Sequence, residues 1–383
     1  MMMKHKRIAA LLLALTLLGG AVTLAVSGGT SGDPLVSKSY VDGTYVPELT
    51  ARAEEQAAQR HEEIYAAAAD RLEAKAALYA ARAGVLTGEG SYHAAFSDIR
   101  LKQGDVVQVS AGSGFLLLAG EASLSCPSGK VLDLSNGWEK STGAMSLNRR
   151  YLAVENTVAA ITVTSPTAVL SLEGFYSLTG SSATDYNALA DAMKALGLFK
   201  GSDTAYGSGY DLEQPPTRIQ GLIMFLRLLG EEETALATTA QNPFADVPAW
   251  AGPYAAYAYE KGYTKGVDSA ARLFGTDNAI KAEEYMTFVL RALGYRDSGE
   301  SPDFTWDASL QKAQELGVLT AGEYRLMAES RFLRAQVVYV SYFALDATYK
   351  DGGTLLARLE SSGTLDPDAV RQVRSGVMVS RLN

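Results

Sequence analysis

Thr217-Arg218 leads to Arg227-Leu228-Leu229-Gly230, Lys281-Ala282 leads to Arg291-Ala292-Leu293-Gly294, and Leu333-Arg334 leads to Phe343-Ala344-Leu345-Asp346. One pattern stated three times, an arginine-type position with an apolar helix end about nine residues later, marks Tyr186 to Asp346 as an internal repeat. A second echo lies upstream: Tyr186, Trp250 and Trp306 stand eleven or twelve residues before Gly197, Gly262 and Gly317. From each glycine to the arginine-type position the gaps are 21, 20 and 17 residues. Each unit reads as helix, glycine stop, irregular loop and capped second helix, with Pro215-Pro216-Thr217 suited to a helix entry. Ile219, Leu222, Ile223, Leu226 and Leu229 recur at helical spacing and form one broad apolar face. A single helix pair cannot bury such a face, whereas three copies can, so a compact all-α bundle with grooves at its seams is expected. Val337-Val338-Tyr339-Val340-Ser341-Tyr342 looks like a strand by propensity; its place in the repeat overrides that and predicts helix.

These residues resemble the S-layer homology (SLH) domains of bacterial cell-envelope proteins. The likeness covers about 160 of 383 residues, and its most specific segment is Asn242-Pro243-Phe244-Ala245-Asp246-Val247-Pro248-Ala249-Trp250 followed by Glu260-Lys261-Gly262. The family signature, similar to Ile-Thr-Arg-Ala-Glu, is matched by Pro216-Thr217-Arg218-Ile219-Gln220, Ile280-Lys281-Ala282-Glu283-Glu284 and Phe332-Leu333-Arg334-Ala335-Gln336. The resemblance implies a pseudo-threefold bundle that binds secondary cell-wall polysaccharide, often pyruvylated, in grooves where the signature arginine is a main contact. A guanidinium suits that role because its planar fork of donors matches a carboxylate or phosphate. Arg218 and Arg334 keep it; Ala282 does not, and Lys281 beside it offers charge without the fork. The implied ligand set is Arg218, Arg334, Thr217, Lys281, Glu284, Gln220, Gln336, Trp250 and Trp306. The competing reading makes the arginines braces of the bundle, with ligand contact preferred for Arg218 and Arg334 but not for Lys281. For Trp250 and Trp306 an aromatic plug in the core comes first and sugar stacking second.

At 47% hydrophobic and 20% charged residues, the chain can bury cores in two or three domains. A net charge of −9 argues against a nucleic-acid partner, which calls for a basic stripe. Residues 184–347 hold 14 Lys and Arg against 22 Asp and Glu. That balance repels a polyanion at long range, so an acidic glycan must be held by local pockets. Cys126 is the one cysteine, which excludes an intrachain disulfide and suits a small buried hydrophobe.

Residues 1–27 have the layout of an export signal: Lys4, Lys6 and Arg7, then an apolar run to Leu18 halted by Gly19-Gly20, with Ala25-Val26-Ser27 as a cleavage site. An uncleaved membrane anchor is the alternative. The expected location is outside the membrane, secreted to cell wall or S-layer, or anchored on the extracellular side. Residues 28–47 read as a linker. Residues 48–84 read as a long helix or coiled coil, alanine-rich with Tyr65, Leu72 and Tyr79 seven residues apart, either docked on the β domain or pairing with another copy. Residues 92–180 read as an all-β sandwich or barrel, with strands expected at 105–110, 114–118, 130–134, 150–154, 160–164 and 168–172 and His93 placed ahead of them. A polar hinge is expected at 180–184. The repeats occupy 184–230, 242–295 and 301–347, and 348–383 forms a helical tail that caps the third.

The fold class expected is therefore multidomain α and β: signal and long helix, all-β domain, then the bundle of three SLH-type repeats. No spacing suggests a metal, a cofactor or a nucleophile with its base, so neither catalysis nor a cofactor is expected. Non-covalent anchoring to wall polysaccharide is the leading reading. The alternative is an S-layer or envelope assembly protein whose bundle makes protein contacts, self-association or S-layer neighbours included, without binding glycan.

Overall fold

The computed structural model describes residues 36–82, 90–127, 129–155, 157–202 and 204–383. The export-signal reading and the first part of the expected linker, residues 28–35, lie outside them. Contacts divide the chain between Ala76 and Ala77 into two compact units. In the first, Lys38–Tyr40 and a π-helical turn Val41–Tyr45 run into α1 (Val46–Arg82), so the end of the expected linker is helical. Alanine-rich sequence without glycine carries α1 for 37 residues. Ile64, Tyr65 and Leu72 on it are 69–70% exposed; the Tyr79 side chain lies outside the described ones.

The second unit opens with one curled antiparallel sheet, a half-barrel and not a two-sheet sandwich. Its strands are β1 (Gly90–Lys102), β2 (Val106–Ser110), β3 (Gly114–Ala119), β4 (Ala122–Ser125), β5 (Lys130–Asp133), β6 (Trp138–Glu139), β7 (Thr142–Ala144), β8 (Arg150–Val154), β9 (Val158–Val163) and β10 (Thr167–Thr179). The order is β6-β5-β8-β3-β10-β2-β9-β4-β7, with β1 also on β10. Alternate residues turn inward, as in Val107 and Val109 or Ala159, Ile161 and Val163, and build a core that includes Cys126. His93 lies on β1 and meets the Tyr176 hydroxyl at 3.1 Å, which corrects its placement ahead of the strands.

β10 pairs with β1 along its length and is long enough to serve two further partners in turn: Val169 to Glu173 pair with β3, and Tyr176 to Thr179 pair with β2. The change of partner happens at Gly174, whose φ is 88°. A Cβ there would stand 2.7 Å from Ser113 Oγ and 2.8 Å from Ser113 Cα. Gly174→Ala is therefore expected to destabilise the fold by about 1–3 kcal/mol, left-handed strain and the clash acting together. Urea unfolding measures this, and an unchanged midpoint would refute the argument.

The helices follow: α2 (Tyr186–Ala195), α3 (Arg218–Leu228), α4 (Glu232–Leu236), α5 (Gly252–Glu260), α6 (Ala282–Ala292), α7 (Ser309–Glu315), α8 (Ala321–Glu329), α9 (Arg334–Ala344), α10 (Leu355–Ser361) and α11 (Pro367–Ser375). The strand-like segment 337–342 is helical within α9, as its place in the repeat predicts. Taken in chain order, α2 and α3, α5 and α6, and α7 and α9 make three units, but the packing runs between units, α2 against α9, α3 against α5 and α6 against α7, and all contribute to one buried core. The units close on one another. Arg218 N donates to Asn278 O at 2.7 Å and Ile219 N to Thr276 O at 3.3 Å, joining unit 1 to the loop of unit 2. Arg334 N donates to Gln214 O at 2.9 Å and Ala335 N to Leu212 O at 3.1 Å, joining unit 3 to the same place in unit 1. Units 2 and 3 meet where the Tyr285 and Ser341 hydroxyls lie 2.7 Å apart. Leu355, Leu359 and Val370 add α10 and α11 to the core.

The sheet and the helices are docked, and the stretch expected to be a hinge is tied down. Ser181 N donates to Asp105 Oδ1 at 2.7 Å and Ser181 Oγ to Gln103 O at 2.6 Å. Arg100 forks onto Asp191 at 2.9 and 2.8 Å, and Asn187 Nδ2 donates to Leu101 O at 3.2 Å.

Candidate functional site

A cleft of about 550 Å³ opens where the three units approach each other. Unit 1 contributes Arg218; unit 2 contributes Lys265, Glu284, Thr287, Arg291 and Asp297; Trp306 comes from the entrance to unit 3. The sequence builds each wall locally. Gly262 ends α5 with φ 75°, which turns the chain so that Lys265 and Gly266 face the cleft. α6 brings Glu284, Thr287 and Arg291 onto one face by i, i+3, i+7 spacing. Three cations against two carboxylates leave the lining with a positive excess although the repeat region as a whole is acidic.

Arg218 is 5% exposed and its Cζ lies 5.2 Å from the ring centres of both Phe274 and Phe288. Glu284 Oε1 stands 2.9 Å from Nη1 but off the hydrogen-bonding axis, so Nε and Nη1 are buried without an aligned acceptor. Burial lowers the Arg218 pKa, and the Glu284 charge offsets this only in part. Such a guanidinium favours an added anion. Asp297 is the opposite case. Burial acts to raise its carboxyl, but hydrogen bonds from Arg291 and Lys265 overcome that and bring it down to about 2. Lys265 Nζ is 2.8 Å and Arg291 Nη2 2.5 Å from its oxygens. Unit 1 repeats the arrangement with Lys200 and Arg227, each 2.7 Å from Glu232.

The remaining residues of the implied ligand set separate by role. Gln220, Glu284 and Gln336 each accept the backbone N–H three residues earlier, from Thr217, Lys281 and Leu333 at 3.1, 2.9 and 2.9 Å. That part of the signature is helix capping, and Glu284 adds the Arg218 contact. Arg334 is turned inward: its Nε donates to Tyr210 O at 3.0 Å and its Cζ lies 5.9 Å from the Phe199 ring centre. Lys281 is exposed beside a separate hollow shared with Arg331. Trp250 and Trp306 are 62% and 53% exposed, so neither is a core plug, and Trp306 stands on the cleft. Sequence reading missed Lys265, Arg291 and Asp297. The signal was present: a lysine follows both Gly197 and Gly262 by three residues, and an arginine follows both signature positions by nine.

Among the described residues no group of His, Cys, Asp and Glu could hold a metal, and no helix is long and apolar enough to cross a membrane. No protein-family profile matches the chain. A curated relative, "Cell surface protein" of Thermoanaerobacter kivui, is 32% identical over 139 residues, 35% of this chain and 17% of that protein. The chain thus spans about a sixth of the curated relative it matches. Among solved structures, procruciferin from Brassica napus matches 22% of this chain and 20% of its own at 17% identity and TM-score 0.15. Pumpkin seed globulin matches 26% and 28% at 13% identity and TM-score 0.16. Likenesses of this size define no shared fold.

Proposed function

We propose that this is a cell-envelope protein of the SLH type, exported from the cell, whose helical units hold wall polysaccharide non-covalently and without catalysis. The observation that carries the reading is Arg218: a buried guanidinium, short of aligned acceptors, on the wall of an open cleft. An acidic substituent on a sugar supplies the missing acceptor, Trp306 offers a ring face beside it, and Lys265 adds charge at the rim. The triple signature and the name of the bacterial relative, a cell surface protein, support an envelope setting. Self-association belongs to the same proposal, through α1, where Ile64, Tyr65 and Leu72 stand exposed.

A second reading, an assembly protein that binds no glycan, draws on Arg334 being turned inward and on Ala282 where a cation is absent. Titration of purified acidic wall polysaccharide into the full chain separates the two. Trp306→Ala and Arg218→Lys are each expected to weaken binding at least tenfold, about 1.4 kcal/mol, with the thermal midpoint held for Trp306→Ala. Arg334→Lys is expected to leave affinity unchanged. Absence of binding by the unaltered chain, or binding by both cleft variants as tight as that of the unaltered chain, would sink the anchoring reading.

A further inference from the structure

The third unit departs from the others at the position that supplies their arginine. In unit 2, Arg291 donates Nη1 to Tyr263 O at 2.8 Å and meets Asp297 through Nε and Nη2 at 3.2 and 2.5 Å. The corresponding residue of unit 3, nine after Arg334, is Phe343. A guanidinium nonetheless occupies the place. Arg381 donates Nη2 to Val318 O at 2.7 Å and meets Glu323 through Nε and Nη2 at 2.9 and 2.5 Å. Val318 follows Gly317 as Tyr263 follows Gly262, so Arg381 reaches the carbonyl equivalent to the one that Arg291 reaches. Its Cζ lies 5.5 Å from the Phe343 ring centre, over the side chain that replaced the arginine.

The neighbours of Arg381 are held as closely. Leu382 N donates to the Tyr339 hydroxyl at 2.9 Å, and Thr320 Oγ1 donates to Leu382 O. A Cβ on Gly322 would lie 2.4 Å from Asn383 O, so only glycine lets the backbone approach there. By the repeat, Thr320 and Tyr339 stand where Lys265 and Thr287 line the open cleft of unit 2. The segment from Val377 to Asn383, without regular secondary structure, therefore lies where units 1 and 2 place their own Arg–carboxylate–Lys groups.

We infer that Val377–Asn383 is a built-in peptide ligand of the third unit, and that the groove beneath it is a site for an extended basic peptide. Glu323, wholly buried, reads the arginine with a two-point fork; Tyr339 and Thr320 read the backbone of the next residue. A groove floored by a carboxylate selects against an acidic glycan, so this site is separate from the Arg218 cleft and does not depend on the function proposed for it.

The test uses the full chain carrying Arg381→Ala and a labelled, amidated peptide with the sequence of residues 377–383, followed by fluorescence anisotropy. Saturable binding to this variant is expected, at least tenfold tighter than to the unaltered chain, whose groove is already filled. A peptide with alanine at the arginine position is expected to bind at least tenfold more weakly, as is a chain also carrying Glu323→Gln. Hydrogen exchange of the Leu382 amide reports whether the groove has been vacated. Equal binding of both peptides overturns the inference, as does a vacated groove that takes no peptide, or a Leu382 amide equally protected with and without Arg381. If Arg381→Ala fails to fold, Arg381→Lys keeps the charge without the fork and is expected to show the same ordering with smaller differences.

Discussion

Replacing Asp297 by alanine is expected to cost about 3–5 kcal/mol of folding stability, because it strands the buried Arg291 guanidinium without its carboxylate and takes the same partner from the half-exposed Lys265. Arg291 and Asp297 are each about nine-tenths buried at the side chain, and Lys265 reaches the same carboxylate from the loop after α5. The pH dependence follows from the depressed carboxyl. Its folded pKa of about 2 lies below the ordinary 3.8, so the stabilisation is fully present above the unfolded value and is lost as pH falls through the folded one. The lowering corresponds to about 2 kcal/mol. Melts from pH 7 down to pH 2 should show this acid loss in the unaltered chain and lack it in Asp297→Asn. Parallel profiles, or a loss under 1 kcal/mol in Asp297→Ala, would show that the pair is bridged by solvent and is not a fixed part of the cleft wall.

Much of the helical region was legible because its signals are local and repeated. The glycine stops, the capping Gln and Glu three residues into each main helix, and the apolar spacing all survive in the sequence as short-range patterns, and together they outweighed the strand propensity of 337–342. In the sheet, the strands expected at 114–118, 130–134 and 150–154 match β3, β5 and β8. β4, β6 and β7 went unseen because two to four residues carry too little alternation, and β1 because a register irregularity between His93 and Ser97 breaks its period. Curling into one sheet was not legible either, since it depends on β10 changing partners at Gly174. The candidate site was half visible. Arg218 and Arg334 looked alike in sequence, yet one lines an open cleft and the other is closed by Tyr210, a difference set by tertiary contacts that the signature does not carry. Arg381 could not be found by pattern at all, because it lies outside the repeat whose missing arginine it replaces.

Asp246→Ala is expected to destabilise the chain by about 2–4 kcal/mol and to weaken the glycan binding proposed for the cleft, although Asp246 does not line it. Its carboxylate accepts the backbone N–H groups of Phe274, Gly275 and Thr276 at 2.7, 2.7 and 3.1 Å, and its backbone oxygen accepts the Thr276 hydroxyl at 2.8 Å. Burial acts to raise this carboxyl, but those donors outweigh it and hold it below the usual range. Truncation leaves three donors without their acceptor, each costing about 1 kcal/mol or more where water cannot reach. The same loop carries Thr276 O and Asn278 O, which receive the first N–H groups of α3 and so hold Arg218 in place. Loosening it therefore moves the guanidinium relative to Glu284 and Trp306, a displacement that costs affinity without removing any contact residue. Asp246→Asn keeps one acceptor oxygen and should recover part of both losses. Urea unfolding alongside polysaccharide titration of the three chains tests the coupling: stability lost with affinity intact would show that the loop braces the bundle but does not position Arg218.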